Sequence, residues 1–184
     1  MKNDIKTLTI KTLFILMCAL ALTLWLCKVR ADRQQEAKQE RFQAGMRIDA
    51  LMRSHDFQNL YPCLDSLQKV YPQDPMFYTL EGMAHDYQGD RTQARKAYTK
   101  AIELYDALIS TKHNWDGRVS RACVILFRDG KMAYHLALDE TLTHATTQKE
   151  KDEVKFFRDM DYDNLLKQSF GEPVKAKITE EEYY

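Results

Sequence analysis

The sequence predicts an all-α fold, and three observations support this expectation. The 184 residues include only six glycines and four prolines. Ala, Leu, Lys, Glu and Gln, which are frequent in helices, are abundant. Apolar residues recur at spacings of three and four through most of the chain, whereas the alternation typical of strands is scarce. We therefore expect a series of short helices around one core, preceded by a separate N-terminal segment.

Residues 1–30 are predicted to be a membrane anchor or a signal segment. The run from 12 to 27 contains no charged residue. A bilayer span needs about 20 apolar residues. Residues 8–29 meet this length if Lys11 and Lys28 extend their amines to the interface. This pattern predicts a single-pass transmembrane helix.

Two alternatives to an uncleaved anchor remain open at this N-terminus. Val29-Arg30-Ala31 offers the small residues of a signal-peptidase site, so a cleaved signal peptide is one of them. A lipoprotein signal is the other, although no small residue precedes Cys18 or Cys27. Basic residues flank the apolar run on both sides, so the positive-inside rule gives no clear orientation. The short N-terminal tail leads us to expect the helical domain on the extracytoplasmic side.

The next segment, Ala31 to Arg41, is strongly polar and rich in helix formers. We expect a solvated helical stalk here, with a flexible linker as the alternative. The helical domain itself is predicted at 42–170.

The most informative stretch lies between Pro75 and Leu104. A shared helical face is followed by a turn and by a second helical face. Small residues on the two faces allow the helix backbones to approach closely, and an aromatic ring fills the hollow between them. The positions that define this hairpin are Tyr78, Gly82, Gly89, Asp90, Ala94, Tyr98 and Ala101.

This hairpin resembles one tetratricopeptide repeat (TPR), covering about 75–106. Glu81 and His85 depart from the family pattern, which has an aliphatic and an aromatic residue at these positions. Moving back by 34 residues, the period of the family, places Asp56 under Asp90 and reveals a degenerate repeat at about 41–74. The resemblance implies a short right-handed solenoid of helical hairpins, since one hairpin cannot bury its apolar face alone.

Beyond this repeat the chain no longer follows the 34-residue period. The elements there are predicted only from the spacing of their apolar residues. Residues 115–127 and 132–142 predict a third hairpin around a turn at Gly130. The packing face of its second helix is expected to hold Met132, Ala133, Leu136, Ala137 and Leu142. Residues 148–170 predict one amphipathic capping helix that seals the open end of the stack. The acidic and aromatic tail at 171–184 is expected to be disordered.

Charge and motifs narrow the class of function. Residues 1–30 hold five Lys or Arg and one Asp, which leaves the remainder at a net charge of −4. A nucleic-acid partner would require a basic stripe, so we expect none. No catalytic or phosphate-binding motif is present, and no zinc pattern joins the four cysteines.

We expect Cys63 and Cys123 to be core residues, with a disulfide as the alternative. We predict a non-enzymatic chain without cofactor, metal or small-molecule substrate.

The TPR resemblance implies that the first helix of each hairpin lines a concave groove for another protein. The residues at groove-facing positions are Phe42, Asp49, Met52, Met76, Thr79, Met83 and Asp86. Exposed methionines adapt well to an apolar peptide, but Met76 and Met83 are equally compatible with the core. The predicted function is a membrane-anchored scaffold or assembly factor.

Two other function classes remain. One is an immunity-type protein that sequesters a toxin or enzyme at the membrane. The other is a small enzyme with an unrecognised site at His85, His135 or Asp139.

Overall fold

The computed structural model describes residues 2–111 and 114–172, with side chains from Leu22 onward except at positions 34, 37 and 111. Within these residues the chain forms helices and no strand, which confirms the all-α prediction. The helices are α1 (Lys2–Arg53), α2 (Phe57–Val70), α3 (Pro75–Tyr87), α4 (Arg91–Thr111), α5 (Trp115–Asp129), α6 (Lys131–Thr143), α7 (Gln148–Phe157) and α8 (Tyr162–Ser169).

The chain divides into two compact units, one from Met1 to Met46 and one from Arg47 onward. The first unit belongs to α1, and the stalk predicted at 31–41 is helical within it. Across the described residues, no helix offers a stretch that is both long and apolar enough to cross a bilayer. The predicted span at 8–29 falls mainly on residues 8–21, whose side chains lie outside the described part.

The second unit is a series in which each helix from α2 to α7 packs against the next one along the chain. This gives an all-helical, repeat-like fold. The last helix, α8, does not continue the series but packs against α3. The single helix predicted at 148–170 is in fact two helices. Asp161 accepts a hydrogen bond from Asn164 N and starts α8 after a non-helical connection at 158–161.

The α3–α4 hairpin packs as its small residues predict. Gly82 lies against Tyr98 so closely that a Cβ at position 82 would be 2.4 Å from two ring carbons. Tyr98 itself is buried, as are Ala94 and Ala101 on the same face of α4. The absence of a side chain at Gly82 is therefore what admits the tyrosine ring.

The corners before α2 and α4 are equivalent at an offset of 34 residues. His55 and Gly89 both have a positive φ, 55° and 83°, a conformation that is uncommon for a residue other than glycine. Asp56 and Asp90 then cap the following helices by accepting from the backbone N–H three residues on. The backbone hydrogen bonds also correspond: those donated by residues 54, 55, 56, 57 and 60 recur at 88, 89, 90, 91 and 94, with acceptors shifted by the same 34.

The third hairpin, α5–α6, turns at Gly130, whose φ is 86°. Its predicted packing face is correct in part: Ala137 is buried, but Met132 and Leu136 are 82% and 68% exposed. Tyr134 and Leu138 are buried in their place. The reason lies in α7, since the Tyr134 hydroxyl donates to the backbone oxygen of Phe157 over 2.6 Å and helps to determine which face of α6 turns inward.

Candidate functional site

The feature that draws attention in the second unit is the surface on which α8 lies. Side chains from all three hairpins contact residues of α8 or of the turn that follows it: His55 after α1, Tyr87 at the end of α3, and Phe127 near the end of α5. We call this surface, made of residues 52–57, 86–91 and Phe127, the helix-end surface. It crosses the hairpins near their corners.

Asp86 is the polar centre of the helix-end surface. Its side chain is fully buried, and its Oδ2 accepts hydrogen bonds from the hydroxyls of Tyr98, at 3.3 Å, and Tyr162. Arg91 Nη1 lies 2.9 Å from Asp86 Oδ1 as an ion pair. A carboxylate that is removed from water in this way is costly unless it is paired, and three neighbours supply the pairing here.

Tyr162, the first residue of α8, is held on several sides. Besides Asp86, its hydroxyl accepts from Arg91 Nη1 at 3.0 Å, and the Arg91 guanidinium lies 5.3 Å from its ring centroid. Its ring meets Phe127 edge-on at 5.6 Å. Burial, together with the hydrogen bond to Asp86, raises the pKa of Tyr162 above its ordinary value, so the phenol stays neutral and donates.

Phe170, just after α8, makes the second anchor. Its ring stacks on Tyr87 with centroids 4.0 Å apart and lies 5.9 Å from Phe57 and 6.1 Å from His55. The backbone oxygen of Phe170 also accepts from His55 Nε2 at 2.9 Å. Phe170 is 1% exposed, and this aromatic cluster therefore removes it from water.

Between and beyond these anchors lie one buried side chain and one further hydrogen bond. Leu166, midway along α8, is 9% exposed. Glu172 accepts a hydrogen bond from the Tyr87 hydroxyl. That bond, with burial and the charge of Glu172 as smaller causes, raises the pKa of Tyr87 to about 12. Tyr162, Leu166 and Phe170 are spaced by four residues, so they share one helical face.

The predicted groove residues are only partly brought together. Of the seven, Asp86 takes part in the seat of α8. Met52 and Met83 are buried, at 2% and 7% exposure, as expected for core positions. Met76 and Thr79 on α3 are half-buried, and the Thr79 hydroxyl donates to the backbone oxygen of Pro75.

The remaining two groove residues lie on α1. Phe42 is 69% exposed and belongs to the first unit. Asp49 pairs with Arg53 one turn further along α1, at 2.9 Å.

Tyr87, Phe127, Tyr162 and Phe170 were not predicted as site residues. A signal for α8 was present in the four-residue spacing of Tyr162, Leu166 and Phe170. The contact between Tyr162 and Asp86, however, joins residues 76 positions apart, and no local pattern reveals such a pairing.

His85, which departs from the TPR pattern, nevertheless acts as an aromatic ring. It stacks on Tyr61 of α2 with centroids 4.6 Å apart, and the Tyr61 hydroxyl lies 3.3 Å from His85 Nδ1. The Tyr61 hydroxyl also donates to Gln88 Oε1 at 2.5 Å. His85 thus joins the first two hairpins.

A depression of about 700 Å³ lies along α4 beside the helix-end surface. Five cationic side chains line it, with Tyr98 and Phe127 below: Arg91, Arg95, Lys96, Lys100 and Arg128. Four of the five have a carboxylate within 3.5 Å, supplied by Asp86, Glu103 or Asp129. Asp129 serves both Arg95 and Arg128, so three carboxylates face five cations and these side chains leave a formal charge of +2.

Chemistry-bearing residues elsewhere do not form a cluster in the described part of the chain. No group of three or more His, Cys, Asp or Glu side chains is arranged there to hold a metal ion. Cys63 and Cys123 are free, and burial raises the pKa of the Cys123 thiol to about 11. Asp139 is paired with Arg158.

Comparison with known proteins yields no relative: no protein-family model, no curated protein and no solved structure matches this chain.

Proposed function

We propose that this chain is a non-catalytic protein-interaction module, built as a short TPR-like solenoid and attached to a membrane through residues 8–29. The TPR-like assignment is supported by the two corners that correspond at 34 residues and by the Gly82–Tyr98 contact. Its role would be that of a scaffold or assembly factor for another protein.

One observation carries the binding role. The first helices of the hairpins present a surface that already accommodates an amphipathic helix, namely α8 on α3. Docking of an amphipathic helix into an apolar groove is a common mode of peptide recognition. The surface combines aromatic side chains, which provide contact area, with one buried carboxylate, Asp86, whose hydrogen bond orients the docked helix. We propose that Met76 and Thr79 extend this surface along α3.

The membrane attachment is supported by the first unit. The end of the predicted span that the structure describes is exposed and apolar, with Leu22, Leu24, Trp25 and Leu26 each about half exposed or more. Trp is frequent at the membrane interface, and an exposed apolar surface of this kind commonly marks contact with a membrane or a protein. We propose that the helical domain lies on the extracytoplasmic side.

Site-specific photocrosslinking in carbonate-washed membranes tests both parts. Thr79 is replaced by p-benzoylphenylalanine, and Lys96, an exposed residue of α4, is replaced in a matched control. We expect one defined protein adduct at position 79 and none at position 96. Met76→Glu should reduce the adduct at position 79, whereas Lys96→Glu should not.

Two results would contradict this proposal. Identical adducts at the two positions would show that α3 has no specific partner. Release of the chain into the carbonate supernatant would exclude an integral membrane anchor.

A further inference from the structure

The position of α8 has a consequence for any partner. Resting on the proposed function, we propose that α8 is an internal ligand of the helix-end surface, and that a partner helix with an aromatic-x3-Leu-x3-Phe pattern displaces it. The kind of partner follows from α8 and the residue after it, because Tyr162, Leu166 and Phe170 recur every four residues and are the anchored or buried positions.

The short helix α8 depends on its seat for stability. It is eight residues long and follows the non-helical connection at 158–161. Helices shorter than about 12 residues are marginal in water by themselves. Nearly all the stability of α8 therefore comes from its seat, so α8 unfolds when it leaves. Short segments of this type open locally without unfolding the rest of a protein.

When α8 leaves, the helix-end surface keeps its polar centre and exposes aromatic side chains. Asp86 keeps the hydroxyl of Tyr98 and the ion pair with Arg91, so its carboxylate is not stranded. Tyr87 and Phe57, in contrast, each lose the ring of Phe170, and Phe127 loses the ring of Tyr162. The open surface thus remains polar at its centre and becomes apolar around it, and an incoming helix would bury these rings again.

The helix-end surface selects its ligand through two anchors. A ligand phenol at the first position would donate to Asp86, as Tyr162 does, and a Phe eight residues later would stack on Tyr87. The two anchors lie at opposite ends of α8. A ligand helix with only one of these aromatic residues would therefore be attached to the surface at one end only. Leu at the central position completes a single stripe, which is how helices are recognised in grooves.

The test uses the full-length chain and a labelled synthetic peptide of residues 160–172. In the variant Tyr162→Ala/Phe170→Ala, α8 no longer competes for the helix-end surface. The peptide should therefore bind this variant at least about tenfold more tightly than it binds the wild type. The reason is that only the fraction of wild-type molecules whose helix-end surface is open can bind the peptide, which lowers the apparent affinity. Gln168→Ala, an exposed position of α8, is the matched control and should behave as wild type. A peptide with both aromatics replaced by Ala should not bind.

A second measurement needs no variant. Amide hydrogen exchange in the wild-type chain should be at least about tenfold faster in α8 than in α4, and the added peptide should accelerate exchange in α8 by displacing it. Exchange of α8 at the rate of α4 would overturn the proposal. Equal peptide affinity for the wild type and the folded double variant would also overturn it.

Two further outcomes separate the possibilities. A wild-type dimer that Tyr162→Ala/Phe170→Ala converts to monomer would show that the occupant is α8 of a second copy, which overturns the partner helix. If the crosslink at Thr79 forms but the α8 peptide does not bind, only the present inference fails. If the peptide binds but no protein crosslinks at Thr79, the proposed function fails and the internal ligand stands.

Discussion

The contact between Gly82 and Tyr98 allows a sharp test of the hairpin. In Gly82→Ala, the new Cβ would lie 2.4 Å from two carbons of the Tyr98 ring and 2.9 Å from a third. Ordinary carbon contacts are at about 3.5–4.0 Å, so the ring would have to move by roughly 1 Å. Tyr98 is 1% exposed, and it is held by Asp86 and by stacking on Phe127 at 5.7 Å. It has little room to move.

Two opposing effects decide the magnitude. Replacing Gly by Ala in a helix normally stabilises it by about 1 kcal/mol. Forcing an extra methyl group into a packed core costs about 1–3 kcal/mol, occasionally more. Because the clash involves ring atoms of a fully buried side chain, we expect the upper part of that range. The net result should be a destabilisation of about 1–2 kcal/mol, or roughly 2–8 °C in Tm for a protein of this size.

Thermal unfolding followed by circular dichroism measures this effect. Gly45→Ala is the matched control, because nothing lies within 4 Å of the corresponding Cβ, and it should not lower Tm. In a Tyr98→Leu background the clash disappears, so Gly82→Ala should no longer destabilise. If Gly82→Ala raised Tm as an ordinary helical substitution does, the close packing of α3 on α4 would be refuted.

Two other predictions concern the corners and the seat of α8. Asp56→Ala and Asp90→Ala remove equivalent helix caps, so urea denaturation should show similar losses of about 0.5–2 kcal/mol each; a loss for only one of them would contradict the equivalence. The hydrogen bond to Glu172 raises the pKa of Tyr87 from 10.0 to about 12, and the folded state therefore favours the neutral phenol. This contribution is complete below pH 10 and is lost as the pH rises through about 12. The stability of the wild type relative to Tyr87→Phe should fall over that interval, and a constant difference would contradict the bond.

The sequence predicted the α3–α4 hairpin well because its determinants are local. A glycine four residues after Tyr78, a Gly-Asp corner and small residues at helical spacing each describe a contact within about 25 residues. The same logic extended to the first corner, where His55 takes the positive φ that Gly89 takes in the second. Residue propensity alone does not predict a histidine with positive φ. Only the 34-residue period indicated that the two corners are equivalent.

Prediction was weaker where distant helices decide which face is buried. Met132 and Leu136 have the right spacing for a core stripe, but α6 turns the face with Tyr134 inward, and the hydroxyl of Tyr134 binds the end of α7. Met83 was compatible with a groove position and with a core position, and it is buried. In both cases the apolar spacing was read correctly, but spacing does not state which neighbour will cover it.

Short-range interactions were enough to predict the helical class, the corner at residues 89–90 and its counterpart 34 positions earlier, because backbone caps and turn residues act within a few positions of one another. The return of α8 to α3, which places Tyr162 on Asp86, became visible only in the folded chain. That choice depends on burial and on hydrogen bonds between groups far apart in the chain, and the apolar stripe of α8 would have suited an exposed end of the stack equally well.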